Sequence, residues 1–335
     1  MNPENILENM PASRQESEER WSFQNKSVET IVGNEKDKKD PEYEEGIPKE
    51  RIALDAFENE YGKEEIERDK KAAENAKAGF LHNPEKAKKK RWADALEIVI
   101  EQQISKDDWF GEEAIIAPTS EYDDYINHVD GIVEFYTDEE SGERIALSID
   151  ASMGTKLLPP KGKDSDEWKS STQKKLDQNI QRILGGNPPA EVKYFESQIT
   201  GAKGMLTGVI PVVVGLDGKH SGELFKLFTE VMKSKQTGAG ASGSLEGHLE
   251  AKKEELRLHP AQMVFLEEIQ EQLAMYERLL ENNPESSYTL KEVQKIRIII
   301  ENVIALKKDA GLKGIEDDGV LNAIRSTAEK TGRPS

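Results

Sequence analysis

The sequence predicts an α/β protein, and three observations carry that prediction. Residues 85–105 put Trp92, Leu96, Val99, Ile100 and Ile104 on one face of a helix. Residues 128–136 and 144–152 alternate apolar and polar side chains on either side of a polar, glycine-containing loop, as the arms of a β-hairpin do. Residues 208–216 form an almost continuous apolar run, the pattern of a central strand covered on both faces.

The 335 residues are 36% hydrophobic and 33% charged, with a mean hydropathy of −0.72, too polar for a compact globule throughout. A formal net charge of −19 repels nucleic acid at long range, so a coat or packaging role is disfavoured and any nucleic-acid groove has to be locally basic. The chain has no cysteine, which excludes disulfides, thiolate zinc sites and cysteine nucleophiles. The first residues lack the basic and apolar regions of a secretory leader. The longest apolar run, residues 209–216, contains Pro211 and is far too short for a bilayer. The expectation is a cytoplasmic protein that does not enter a membrane.

In chain order, residues 1–83 are charged, poor in aromatics and without a sustained apolar period, which predicts a largely disordered arm with one polar helix at 54–77. Residues 84–236 make the α/β core. Its first helix is followed by a short strand at 114–117, closed by Pro118, and then by the hairpin. A Gly-, Pro- and Lys-rich loop at 153–166 leads to a second helix at 167–184, stopped by Gly185-Gly186-Asn187-Pro188-Pro189. The strand at 208–216 precedes a helix at 222–235 carrying Leu224, Phe225, Leu227, Phe228 and Val231. Residues 237–248 predict a flexible Gly/Ser linker. Residues 249–335 predict a helical hairpin, 260–282 and 289–310, with a polar tail from Gly311.

The hairpin carries the most informative pair of residues. Pairing Phe135 with Ile145 sets Asp130 opposite Asp150. Directly opposed strand residues hold their Cβ atoms roughly 4.5–5.5 Å apart, where like charges are destabilising. Two carboxylates so placed call for a cation between them, and a hard metal ion is the natural one.

The order helix, strand, strand, strand, helix, strand, with acids on the first helix and the middle strands, resembles the PD-(D/E)XK nuclease superfamily, the restriction-endonuclease-like fold. The resemblance spans residues 84–235. It implies that Asp130, in His128-Val-Asp-Gly-Ile-Val-Glu134, is the first acid of the motif, with Val129 where the family has proline. It implies that Asp150 is the second acid, that the Ala151 carbonyl adds an oxygen ligand, and that Glu97 or Glu101 on the helix supplies a third carboxylate. Such a set suits Mg²⁺ or Mn²⁺. The family's lysine, two residues after the second acid, is replaced by Ser152. Lys156 after the strand, or Gln173, Lys174 or Lys175 on the next helix, would then have to bring the cation or donor that stabilises charge on the phosphate.

Other signals are weighed against plainer readings. Asp123 and Asp124, near Tyr122 and Tyr125, either add acidity to the site or, the plainer reading, are turn residues. His128, two residues before Asp130, shares its strand face and is a candidate to shuttle protons or bind metal, against the plainer reading of a lone histidine, and Glu134 on the same face is an alternative ligand or a support to the ligands. The basic run 86–91, and Lys161, Lys163 and Lys169, are candidates for phosphate contacts. His220, His248 and His259 lack metal-ligand spacing. No nucleotide-binding glycine motif and no GxSxG elbow is present. Two functions of different class follow: a metal-dependent nuclease-like enzyme acting on nucleic acid through a local basic groove, or a non-catalytic relative serving as a scaffold for protein partners through its C-terminal hairpin.

Overall fold

The computed structural model describes residues 51–82, 84–138, 143–154, 170–185, 190–237, 243–281 and 286–331. The protein is a mixed α/β structure with a small mixed sheet and a large helical complement. Helices α1 (Lys63–Leu81) and α2 (Pro84–Asp107) precede strands β1 (Ala114–Pro118), β2 (Gly131–Asp138) and β3 (Glu143–Gly154). Helix α3 (Ser171–Leu184) leads to a small hairpin, β4 (Glu191–Glu196) and β5 (Lys203–Thr207), and then to β6 (Ile210–Asp217). Five helices follow: α4 (Gly218–Thr237), α5 (Gly243–Arg257), α6 (Ala261–Leu280), α7 (Ser287–Asp309) and α8 (Gly319–Thr331).

The main sheet has the order β1-β2-β3-β6. The first three strands are antiparallel and β6 runs parallel to β3, so α3 and the β4–β5 hairpin lie within the crossover between them. The hairpin register is the expected one: Phe135 pairs with Ile145 and Gly131 with Ile149, and the Asp130 N–H donates to the Ile149 carbonyl at 2.8 Å. The register follows from burial, because Val133, Phe135, Ile145, Leu147 and Ile149 all enter the core and a one-residue slip would turn them out. At Gly215 on β6 an added Cβ would stand 1.9 Å from the Ser152 carbonyl oxygen, so the β3–β6 pair closes only over glycine.

β6 is the edge strand of the sheet, and α6 covers its free side. Gln272 accepts from the Val213 N–H at 2.8 Å and donates to the Val213 carbonyl at 2.7 Å. Glu268 accepts from the Gly215 N–H at 2.8 Å, and the Tyr276 hydroxyl donates to the Pro211 carbonyl at 3.0 Å. Residues 268, 272 and 276 are one helical turn apart, so a single face of α6 replaces the missing strand.

Three segment boundaries differ from the sequence reading. The expected arm ran to residue 83, and its first fifty residues lie outside the described ones. Residues 54–81, however, are folded onto the core: a 3-10 turn (Leu54–Phe57), one helical turn (Glu58–Tyr61) and α1 bury Phe57 and Ile66 against Tyr194. The buried positions of α1 are only Ile66, Asp69 and Ala73, too sparse to stand out from its charged residues. The expected linker at 237–248 is helical from Gly243, where α5 begins. The expected polar tail holds α8, which buries Val320, Leu321 and Ile324. The C-terminal hairpin is not a separate appendage either, since one apolar core runs from Leu96 through Val212 to Phe265 and Ile300.

Candidate functional site

The site is built where α2, the turn after β1, the β2–β3 hairpin and α3 converge. Asp130 and Asp150 stand opposite each other just beyond and within the β2–β3 ladder. One Asp130 oxygen accepts from the Ala151 N–H at 2.8 Å, which fixes its carboxylate against β3. Glu97, Glu101, Asp130 and the Ala151 residue line one small pocket together with Ile100 and Ile149. Glu97 is almost fully buried and Glu101 half-buried.

Two residues missing from the expected set complete the acidic array. Asp94 lies one turn before Glu97, and Asp124 comes from the π-turn Asp123–Asn127. Among the described residues, Asp94, Glu97 and Asp124 bring one oxygen each within 4.8 Å of one another, close enough to share an ion. Asp130 and Asp150 are not members of so tight a group. The signal for the α2 members was present, since Lys90, Asp94, Glu97 and Glu101 follow at i, i+4, i+7 and i+11, one face of a helix. Asp124 had no such signal, because a π-turn has no sequence period.

Among the described residues, Arg51, Lys90 and Lys175 face these acids. The Lys90 ammonium lies 2.9 Å from Asp94, 3.0 Å from Asp124, 3.6 Å from Glu97 and 3.9 Å from Asp130. Arg51 pairs with Asp124, and both Arg51 and Lys90 lie over the Tyr125 ring. Lys175 donates to Asp150 and, at 2.8 Å, to the Ala151 carbonyl. Ser152, two residues after Asp150, makes a 3.1 Å hydroxyl contact with Thr172, and that contact holds α3 against β3. Lys175, one turn after Thr172, is thereby brought to the acids.

Burial and crowding move the protonation equilibria. Burial, and next Glu97, hold Asp130 well above the ordinary carboxylate range despite Lys90. Asp94 is raised for the same two reasons. Burial alone would lower Lys90, but Glu97, Asp130, Asp124 and Asp94 together carry it well above the usual lysine value. Lys175 behaves likewise, with burial opposed by Asp150 and Asp130.

The remaining candidates fall elsewhere. Gln173 is used in the α3 cap: its side chain accepts from the Ser170 N–H at 2.9 Å while its own N–H donates to Ser170. Lys174 is exposed, because the inward face of α3 is set by Thr172, Leu176 and Asn179, which Lys175 shares and Lys174 does not. Lys156, Lys161, Lys163 and Lys169 lie outside the described residues. Glu134 accepts from Ser197 and the Gln198 N–H at 2.8 and 2.9 Å, which makes it a tie to the turn after β4 rather than a ligand. His128 is exposed in the left-handed region (φ 57°), and β2 begins only at Gly131, so the strand argument for His128 fails. Asp123 is not a plain turn residue: it is buried and accepts from the Lys193 and Tyr194 N–H groups, tying the π-turn to β4. Asp217, His220 and Asp318 also cluster, but their oxygens cap α4 and α8 by accepting from the His220, Val320 and Leu321 N–H groups.

Protein-family models, curated proteins and solved structures contain no match to the chain. Among the described residues no helix is long and apolar enough to cross a membrane.

Proposed function

We propose that this chain is a divergent, divalent-metal-dependent nuclease-like enzyme that hydrolyses phosphodiesters at the Asp130/Asp150 centre. The observation that carries the reading is the convergence of oxygen donors: Glu97, Glu101, Asp130 and the Ala151 residue line one small pocket, with Asp150 opposite Asp130 on the hairpin. The donor set fits a hard ion such as Mg²⁺ or Mn²⁺, because Glu97, Asp130, Asp150 and the Ala151 carbonyl offer only oxygen. Glu97 also belongs to the tighter group with Asp94 and Asp124. The order α2-β1-β2-β3-α3-β6, interrupted by the β4–β5 hairpin before β6 and with β6 parallel to β3, supports a restriction-endonuclease-like core.

When bound, the metal supplies Lewis-acid polarisation of the phosphate. The chain supplies the rest. Lys175, anchored by the Ala151 carbonyl, offers a fixed ammonium for charge developing on the phosphate, in place of the lysine that Ser152 displaces. Asp130, raised by burial, exchanges its proton at higher pH than an ordinary carboxyl. A nucleic-acid substrate approaching so acidic a chain needs local basic contacts, for which the run 86–91 and Lys161, Lys163 and Lys169 are the candidates.

A second reading, a non-catalytic scaffold for protein partners, is favoured by one feature. Lys90 already lies among four of the acids, which compensates much of their charge within the chain. The exposed Tyr288, Ile298 and Leu306 on α7 would then serve a partner. Calorimetric titration with Mg²⁺ and Mn²⁺, on wild type and Asp150→Ala, separates the two readings when paired with cleavage assays on single- and double-stranded DNA and RNA. Metal binding that is lost in the variant, together with metal-dependent cleavage, is the expected result. A chain that neither binds metal nor cleaves is the scaffold.

A further inference from the structure

We infer that Lys90 is a resident cation that a divalent ion has to displace, so that loading of this centre exchanges an ammonium for a metal. The inference rests on the metal-dependent reading above and names how that site is controlled. An ammonium has three N–H donors, yet Lys90 faces four carboxylates at 2.9, 3.0, 3.6 and 3.9 Å. It is therefore held by the combined field of the group rather than by one fitted partner. A Mg²⁺ ion bonds its oxygens at about 2.0–2.1 Å, and oxygens turned onto it no longer face an ammonium in their midst. Both cations draw on Glu97 and Asp130, so they compete for the same oxygens.

The two resident cations differ in how readily they leave. Arg51 is tied twice, to Asp124 and, at 3.5 Å, to the Ser120 carbonyl, and the neighbouring Ile52 N–H donates to Thr119. Its planar fork is specific for that position. Lys90 carries a point charge on a flexible four-carbon stem, and among the described residues it contacts carboxylates and the Tyr125 ring. The chain thus holds the acids together with Lys90 when metal is scarce, and the site's apparent affinity is reduced by the fraction of molecules in which Lys90 is seated.

The test is calorimetry of the full chain with MnCl₂ and with MgCl₂, as wild type, Lys90→Met and Lys90→Arg, with thermal midpoints in EDTA and in Mn²⁺. If Lys90 is seated in about nine-tenths of molecules, Lys90→Met binds Mn²⁺ about tenfold more tightly than wild type. Its midpoint in EDTA is lower than that of wild type, and its gain on adding Mn²⁺ is larger. Lys90→Arg binds no more tightly than wild type. Should Lys90→Met be unfolded in EDTA, recovery of a cooperative transition in Mn²⁺ is the expected outcome, and failure to recover overturns the inference. Wild-type binding with no tightening in Lys90→Met overturns the inference and leaves the metal reading standing. No binding in either protein overturns both.

Discussion

The Lys175 ammonium reaches Asp150 and the Ala151 carbonyl from α3, and in the proposed function it does the work of a lysine that the strand itself does not carry. Lys175→Met is predicted to lower phosphodiester turnover about 10²–10³-fold, the usual loss for removing one charge-stabilising donor. Metal binding in calorimetry should change far less than turnover, and Lys174→Met should leave both unaltered. Asp130 makes a prediction of a different kind. A carboxyl raised in the folded chain keeps its proton after the unfolded chain has lost its own. Its contribution to stability is therefore full at low pH and declines as pH rises from about 4, the unfolded value, through the raised folded value. Asp130→Asn, which retains an oxygen for the Ala151 N–H, should flatten that decline in metal-free thermal midpoints. Parallel wild-type and variant curves would mean that Asp130 titrates normally.

Single elements carry the next set of consequences. The side of β6 left open by β3 is covered by Glu268, Gln272 and Tyr276 from α6. Gln272→Ala strands the buried Val213 N–H and carbonyl, and should cost about 1–3 kcal/mol for each group left unpaired, read from urea denaturation. A loss below about 1 kcal/mol would show that the edge finds other partners. Gly215→Ala attacks the opposite side of the same strand, since its methyl group meets the Ser152 carbonyl oxygen. That overlap places it among the rare substitutions costing more than about 4 kcal/mol, and the expected outcome is insoluble or unfolded protein. Ser152 also holds α3 through Thr172, so the β3–β6 contact and the placement of Lys175 are mechanically linked.

At the scale of the whole molecule, the helices after the linker belong to the same core as the sheet. Val264, Phe265 and Ile269 are buried in one cluster with Val212, Val214 and Leu216. Residues 51–236 produced alone, cut at the boundary that the sequence indicates, should therefore fail to fold. Heteronuclear NMR of that fragment should show the narrow dispersion of an unfolded chain, and a well-dispersed spectrum would restore the two-domain division. The net charge of −19 acts at this scale too, since it repels nucleic acid wherever local cations do not intervene.

Local pattern alone determined the α/β class, the first helix, the hairpin with Asp130 opposite Asp150, and the apolar strand now seen as β6. The helix and the hairpin follow from periodicity, because a buried face repeats every 3.6 or 2 residues wherever the chain lies, and β6 follows from a continuous apolar run, because both its faces are covered. The assembly of the charged array was decided only in three dimensions. Asp124 comes from a π-turn, which has no sequence period, and although helical spacing puts Lys90 and Lys175 on the inward faces of their helices, it does not say that those faces meet the same acids. The folding of α1 and α8 onto the core was equally hidden. The buried residues of α1 are few, and the partners of both helices, Tyr194 for α1 and Leu176 and Val213 for α8, are distant in sequence. Charge compensation and helix docking depend on contacts between remote segments, and those exist only once the chain has closed.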